Sequence, residues 1–250
     1  LHSFPTRRSS DLHQDITISK DVMETPIKQP FEIIKVSVDE DTDETISVSG
    51  AEFTVKLNSD VEKNGWDNAK TVDVLVTDDK GYARSKELPF GTYLVKETKV
   101  PDNLYKTADF TVTIDRDSRE PQAWRTLNDS PFKAYIKFIK KDEEAGHIVR
   151  LPGVTFKIKK ADSDEYVEMK VGDKKVSEFI TDETGTITTP LKLRYGDYEV
   201  TEITAPEGYL LSEDSIAFHV TKEGAIEYEE DEDGDAVITI EMNNKPVKGS

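Results

Sequence analysis

Three kinds of side chain recur in this 250-residue chain at positions where a β-strand would turn them inward: a lysine, a glutamate and an asparagine. Successive side chains of a strand point to opposite faces. One parity of the run 132–140 therefore reads Phe132, Ala134, Ile136, Phe138 and Lys140, apolar until the amine. The same parity 105 residues earlier (140 − 35) gives Phe31, Ile33 and Lys35. Glu202 follows Tyr198 and Val200 on one face, and Glu97 follows Tyr93 and Val95 at the same offset (202 − 97 = 105). Asn244 shares a face with Ile238, Ile240 and Met242, and Asn128 lies on the parity of Trp124 and Thr126. Buried lysine and glutamate are rare without partners, so an inward amine, acid and amide must satisfy one another. The bland reading is a lysine stem snorkelling to water beside an edge acid. Recurrence in two places favours a sharper one, covalent chemistry among the three.

The elements that must position these groups repeat as well. LPFGTYLVKETKVPDNLY (88–105) aligns without gaps on LRYGDYEVTEITAPEGYL (193–210), GAEFTVKL (50–57) answers PGVTFKIK (152–159), and VTDDKGYAR (76–84) answers ITDETGTIT (180–188). The openings PFEIIKV at Pro30 and PFKAYIKFIKK at Pro131 also correspond. Repetition at this period means two tandem domains of roughly 100 residues, not a solenoid of small units. Within each copy, period-two alternation broken by Gly, Asp, Asn and Pro predicts short antiparallel strands. Representative strands are FEIIKV, AEFTVKL, TYLVKE, DFTVTI, VTFKIKK, IAFHV and AVITIEM. At most one turn of helix is expected, around Asp60–Asn68. The size and strand spacing suit a seven- to nine-strand sandwich. The domains expected are 30–130 and 131–250, with 13–29 a remnant of a preceding domain or linker. The basic, unpatterned LHSFPTRRSSDL (1–12) resembles translated sequencing adapter and is set aside as an artefactual leader.

Composition narrows the function. With 33 Lys+Arg against 51 Asp+Glu, the formal charge of −18 disfavours nucleic acid and anionic membrane as partners. No run approaches the 18 or so apolar residues that a membrane span needs. The absence of cysteine excludes a disulfide framework, a Cys-ligated zinc and a thiol nucleophile. Something other than sulfur must staple the fold if the chain is exported.

The run YEVTEITAPEGY (198–209), the opening IxFxKxD around Lys140, the GxxF hairpin and the closing NKPVKG (244–249) together resemble the B-type repeats of collagen-adhesin-like surface proteins of Gram-positive bacteria, also called SpaA-like or prealbumin-like domains. The resemblance covers 30–250. It implies an all-β fold of two tandem immunoglobulin-like or transthyretin-like antiparallel sandwiches. It also implies that first and last strands can be joined by a self-formed Lys–Asn isopeptide bond, Lys35 to Asn128 and Lys140 to Asn244, with Glu97 and Glu202 as the assisting acids. Burial suits that chemistry. Desolvation lowers a lysine below about 10.4 and raises a glutamate above about 4.3. The neutral amine can then attack the amide carbonyl while the protonated acid hydrogen-bonds that carbonyl and shuttles protons so that ammonia leaves. This is a single turnover, not enzymatic activity on other molecules. Copy one departs from the pattern: its acidic segment reads KETKVPDNLY without Gly-Tyr, and Asn128 is followed by Asp-Ser-Pro, one residue longer than Asn-Lys-Pro in copy two.

Other constellations are weaker. In EEDEDGDA (229–236) the Gly falls at the wrong position for an EF-hand, which leaves a solvated hairpin tip; DEDTDE (39–44) reads the same way. His219 has no second ligand nearby, so neither metal nor cofactor is expected, and Trp66 and Trp124 read as core or loop anchors. Three functions compete: a structural stalk module of a cell-wall-anchored adhesin or pilin-like protein, a host-matrix or glycan-binding module, and an accessory array of a secreted hydrolase. The expected partners are neighbouring repeats of the same chain, with host extracellular matrix reached through other domains. The expected location is the cell surface or wall of a Gram-positive bacterium.

Overall fold

The computed structural model describes residues 25–122, 125–225 and 227–248; the expected leader 1–12 and Trp124 lie outside them. The first module runs β1 (Lys28–Gln29), β2 (Glu32–Asp39), β3 (Glu44–Ser47), β4 (Glu52–Leu57), α1 (Asn58–Asn64), β5 (Thr71–Val76), β6 (Tyr82–Arg84), β7 (Leu88–Pro89), β8 (Gly91–Lys99), β9 (Phe110–Ile114) and β10 (Arg125–Asp129). The second continues with β11 (Lys133–Asp142), β12 (Thr155–Lys160), β13 (Met169–Val171), β14 (Lys174–Val176), β15 (Phe179–Ile180), β16 (Thr186–Thr188), β17 (Leu193–Arg194), β18 (Gly196–Thr204), β19 (Ile216–Val220), β20 (Glu229–Glu230) and β21 (Ala236–Asn244). The chain is nearly all β, as the alternation predicts. The single described helix, α1, starts two residues before the expected turn and ends where Gly65 takes a φ of 79°.

Each module is a two-sheet sandwich. In the first, β5-β4-β8-β9 faces β10-β2-β3, with β6 also on β2. In the second, β15-β12-β18-β19 faces a sheet ordered β16-β11-β21-β20. The inner faces fill with the apolar parity of these strands: Phe53, Val55, Tyr93, Val95 and Ile114 in one core, Phe138, Phe156, Ile158, Val200 and Ile240 in the other. One pairing breaks the antiparallel plan. β10 runs parallel to β2, and β21 parallel to β11. Parallel neighbours need a long crossover, and here nearly the whole module is that crossover. The chain thus enters each module at one end and leaves at the other.

The repeats reuse the same fasteners. Thr77 accepts the Ala51 N–H and donates to the Val48 carbonyl, and Thr181 does the same for Val154 and Leu151. Tyr93 and Tyr198 donate their hydroxyls to the carbonyls four residues upstream, Pro89 and Arg194, both at 2.7 Å. Gly81 and Gly185, both at φ +75°, close turns in which a Cβ would sit 2.1 Å from the Lys35 carbonyl oxygen and 2.0 Å from that of Val149. Only glycine tolerates both the φ and the approach. Their own carbonyls accept the backbone N–H of Lys35 and Lys140, at 2.6 and 3.1 Å, and so fix the two strands that carry the inward amines.

The structural equivalence of the two openings is not the Pro-Phe correspondence read from the sequence. Lys28 pairs with Pro89 and Gln29 with Leu88 in the first module, as Lys133 pairs with Arg194 and Ala134 with Leu193 in the second, an offset of 105 throughout (133 − 28). Pro30 therefore interrupts one continuous strand path rather than starting it, because proline has no N–H to place in a ladder.

Candidate functional site

In the second module the three predicted groups meet between the sheets. Lys140 sits on β11 with its side chain wholly buried; Glu202, 2% exposed, reaches across from β18; and Asn244, also 2% exposed, ends β21. The parallel register pairs Lys140 with Met242, so Asn244 falls one inward position further along the adjacent strand. The Lys140 ammonium lies 3.1 Å from Glu202 Oε2. Asn244 Nδ2 donates to both carboxylate oxygens, at 3.1 and 2.9 Å, and to the Leu210 carbonyl at 2.6 Å. The Ser212 N–H supplies a further donor to Glu202 Oε2 at 3.2 Å. Phe156 stands directly opposite Glu202 in the ladder and walls the amine, 5.9 Å from its ring centre. Burial holds the Lys140 amine below its ordinary pKa, against the Glu202 charge and hydrogen bond that pull it up. That is the direction a nucleophile needs.

One detail differs from the expected chemistry. Glu202 touches the amide nitrogen of Asn244, not its carbonyl, because the Leu210 carbonyl demands a donor and so fixes the amide's orientation. Asn244 Oδ1 is buried with no hydrogen-bond partner among the described residues.

In the first module Lys35 and Glu97 occupy the matching places, on β2 and β8, and are 0% and 3% exposed. Phe53 stands opposite Glu97 as Phe156 does opposite Glu202, 5.3 Å from the Lys35 amine. The Thr107 N–H donates to Glu97 Oε2 at 2.7 Å, the counterpart of Ser212. The third member is not Asn128. That side chain faces outward and accepts the Val38 N–H at 3.0 Å. Asp129, 1% exposed, takes the inward place and ion-pairs with Lys35. Strand β10 buries Leu127 and Asp129, so the inward parity is the opposite of the one read from Trp124, Thr126 and Asn128. The signal was available in the proline: Asp129 stands two residues before Pro131 as Asn244 stands two before Pro246. Glu97 lies 3.5 Å from the Lys35 amine. Burial raises its pKa first of all; the Thr107 hydrogen bond and the Lys35 charge oppose the rise, and the adjoining Asp129 carboxyl adds to it. Glu97 Oε1 and Asp129 Oδ2 both lack partners among the described residues. A proton on Glu97, the acid whose pKa is raised, satisfies both when it points at Asp129.

The remaining candidates form no comparable cluster. Trp66 is a loop anchor gripped by the Lys56 and Lys96 ammoniums at 4.5 and 4.7 Å from its ring centre. His219 pairs at the surface with Asp197. Asp231, Asp233 and Asp235 converge within 4.8 Å, but Asp231 spends Oδ1 on the Asp233 and Asp235 N–H groups as the cap of a hairpin tip. A cleft of about 1080 Å³ lies between the modules and is lined by none of the six buried reactive groups. No described helix is long and apolar enough to cross a membrane.

Comparison with protein-family models matches residues 30–126 and 134–234, each to the SpaA prealbumin-like fold domain. No curated protein sequence is significantly similar to the chain. Among solved structures, the Bacillus anthracis TIE protein is 26% identical with a TM-score of 0.60, over 88% of this chain and 34% of that one, so the chain spans about a third of that protein's length. The shaft pilin SpaA of Lactobacillus rhamnosus GG is 17% identical with a TM-score of 0.37, over 89% and 99% of the two chains. The minor pilin GBS52 of Streptococcus agalactiae is 15% identical with a TM-score of 0.40, over 89% and 98%.

Proposed function

The chain belongs to the SpaA prealbumin-like domain family, of which it carries two tandem copies, and on that premise we propose that it is a stalk segment of a Gram-positive cell-surface protein of adhesin or pilin type, each module stapled by an autocatalytic isopeptide bond. The observation that carries the reading is the repeated burial of a lysine against an acid and a carboxamide or carboxyl group at the end of the neighbouring last strand. A protein that needed only a packed sandwich would gain more from apolar residues there, since buried charges return little net stability.

In the second module the Lys140 amine attacks Cγ of Asn244, and Glu202 accepts the proton that Nζ loses. Glu202 then delivers that proton to Nδ2, which it already touches, the Cγ–Nδ2 bond breaks and ammonia departs. In the first module the Lys35 amine attacks Cγ of Asp129; the departing oxygen takes the Glu97 proton and then the proton that Nζ loses, relayed by Glu97, and leaves as water. The fold replaces an external catalyst by holding the reactants together, and exclusion of water protects the product. The chain is its own substrate, and neighbouring modules of the same chain are its partners.

Intact-mass measurement of the purified protein tests this. Expected is a deficit of about 17 Da for the lost ammonia and about 18 Da for the lost water, with tandem mass spectra joining peptides of Lys140 to Asn244 and of Lys35 to Asp129. An unshifted mass overturns the cross-linking reading.

A further inference from the structure

The tripeptide Pro-apolar-Lys occurs four times; Pro190-Leu191-Lys192 lies inside the second module, and the other three, Pro26-Ile27-Lys28, Pro131-Phe132-Lys133 and Pro246-Val247-Lys248, lie at module ends. The structure places these three at equivalent positions. The Ile27 carbonyl accepts the Phe90 N–H and the Phe132 carbonyl accepts the Tyr195 N–H, both at 3.0 Å. Phe132 and Val247 donate their N–H to the carbonyls of Asn103 and Gly208, at 2.7 and 2.8 Å, while Pro131 bridges to Leu104 as Pro246 bridges to Tyr209. The first of these tripeptides therefore opens a module, the last closes one, and the middle one does both.

At the middle tripeptide both sides of the junction are visible. Lys133 leaves the second module and ion-pairs with Asp39 at the end of β2, at 2.7 Å, and with Asp41 in the acidic turn that follows. Arg194, 8% exposed, donates to Glu44 and to the Ser37 hydroxyl, each at 3.4 Å. Tyr195 packs against the cores of both modules. On the far side of the linker the Asn103 side-chain oxygen accepts from the Thr221 hydroxyl and the Lys222 N–H, both at 2.9 Å. The third tripeptide shows the same habit: Lys248 reaches Glu144 at 3.6 Å, and Glu144 is the 105-offset counterpart of Asp39 (144 − 39).

The first tripeptide carries the other half of such a junction. Lys28 corresponds to Lys133 and Phe90 to Tyr195. Lys28 is exposed and Phe90 is 67% exposed, a large aromatic in the open where its counterpart Tyr195 is partly buried. The face differs in one respect, with Pro89 in the place of Arg194.

We propose that the face of the first module bearing Phe90 and Lys28 is a docking surface for a preceding module of the same chain, one that ends as the first module does, in an acidic turn after its first strand, so that modules stack in one fixed orientation. An apolar contact rimmed by a cation fits that end by charge. The inference extends the stalk reading but does not depend on the cross-links, so mass loss and docking fail separately.

The chain has no cysteine, so Phe90→Cys creates a unique thiol. Its alkylation rate is measured in the full chain and in a chain where residues 25–132 are duplicated ahead of Lys28, with the thiol only in the downstream copy. Tyr195→Cys in the full chain is the covered reference. Expected is slowing by at least about tenfold in the duplicated chain, approaching the reference, and recovery when Asp39→Lys and Asp41→Lys are placed in the added copy. Equal rates in the two chains overturn the proposal, as does a fast-reacting Tyr195→Cys. Protection that arises only on raising the concentration of the full chain assigns the face to a second copy in trans and overturns stacking within one chain.

Discussion

Replacing Glu202 by alanine removes the one side chain among the described residues that hydrogen-bonds both Lys140 and Asn244, and its cost can be worked in two parts. The first is the cross-link. A bond from 140 to 244 closes a loop of about 100 residues, worth about 4.7 kcal/mol in the chain-entropy model developed for disulfides. The second is an orphan. Lys140 is wholly buried and Glu202 is its one ion-pair partner among the described residues, and removing one partner of a buried pair costs about 3–5 kcal/mol. The sum, about 8–10 kcal/mol, rivals the whole stability of an ordinary domain. Lys140→Met also forfeits the bond but leaves no buried cation, and Glu202 keeps the Asn244 and Ser212 donors. Its cost is about 4.7 kcal/mol, a fall of roughly 20 °C in Tm for a module of this size. The assay is intact mass followed by thermal unfolding, with the first module as internal reference. Both variants should regain about 17 Da, and Glu202→Ala should be the less stable. A Glu202→Ala chain that keeps the mass deficit refutes the role of the acid. Equal stability of the two uncross-linked variants refutes the orphaned lysine.

Three further outcomes are expected. Asp129→Ala should abolish the loss of about 18 Da from the first module while Asn128→Ala leaves it intact, read from the mass of each variant. In Asn244→Ala, which cannot cross-link, the folded Lys140 has a pKa below its unfolded value of 10.5. The unfolded chain then binds the proton more tightly between those two values, so stability rises with pH across that window and levels off above 10.5; urea midpoints against a Lys140→Met, Asn244→Ala control should show this extra slope. Tyr198→Phe should cost about 1 kcal/mol, because the buried Arg194 carbonyl loses its 2.7 Å donor; chemical denaturation measures it.

Much of this was legible in the sequence because β-alternation and an internal repeat each constrain the same residues. Lys140, Glu202 and Asn244 fall on apolar parities of long strands, and the structure brings Lys140 and Asn244 within hydrogen-bonding distance of the Glu202 carboxylate. Glu97 and Lys35 followed through the 105 offset. Asp129 did not, because β10 is five residues long and only Leu127 marks its inward face with an apolar side chain. Parity in such a strand slips by one residue without penalty in the pattern. The openings were aligned on Pro-Phe for a related reason. Pro30 lies inside a strand path where Tyr135 lies in its counterpart, and a proline reads as a boundary when it is only a missing donor. The inter-module contacts were invisible to any single-domain pattern, since Asp39, Asp41 and Glu44 form a plain solvated acidic run until Lys133 and Arg194 are placed beside them.

The parallel pairing of first and last strands also sets how long the molecule can become. Between Lys140 and Asn244 lie about 100 residues, a contour of roughly 340 Å if ever drawn out. With the two side chains joined, that contour drops out of the path from one terminus to the other. What remains is the stretch Lys133–Lys140, already extended at about 3.3 Å per residue, and the side-chain bridge to the exit strand. Each module then contributes a near-constant increment of about 25–30 Å along the strand direction, and the reach of the assembled chain is fixed by the number of modules it contains.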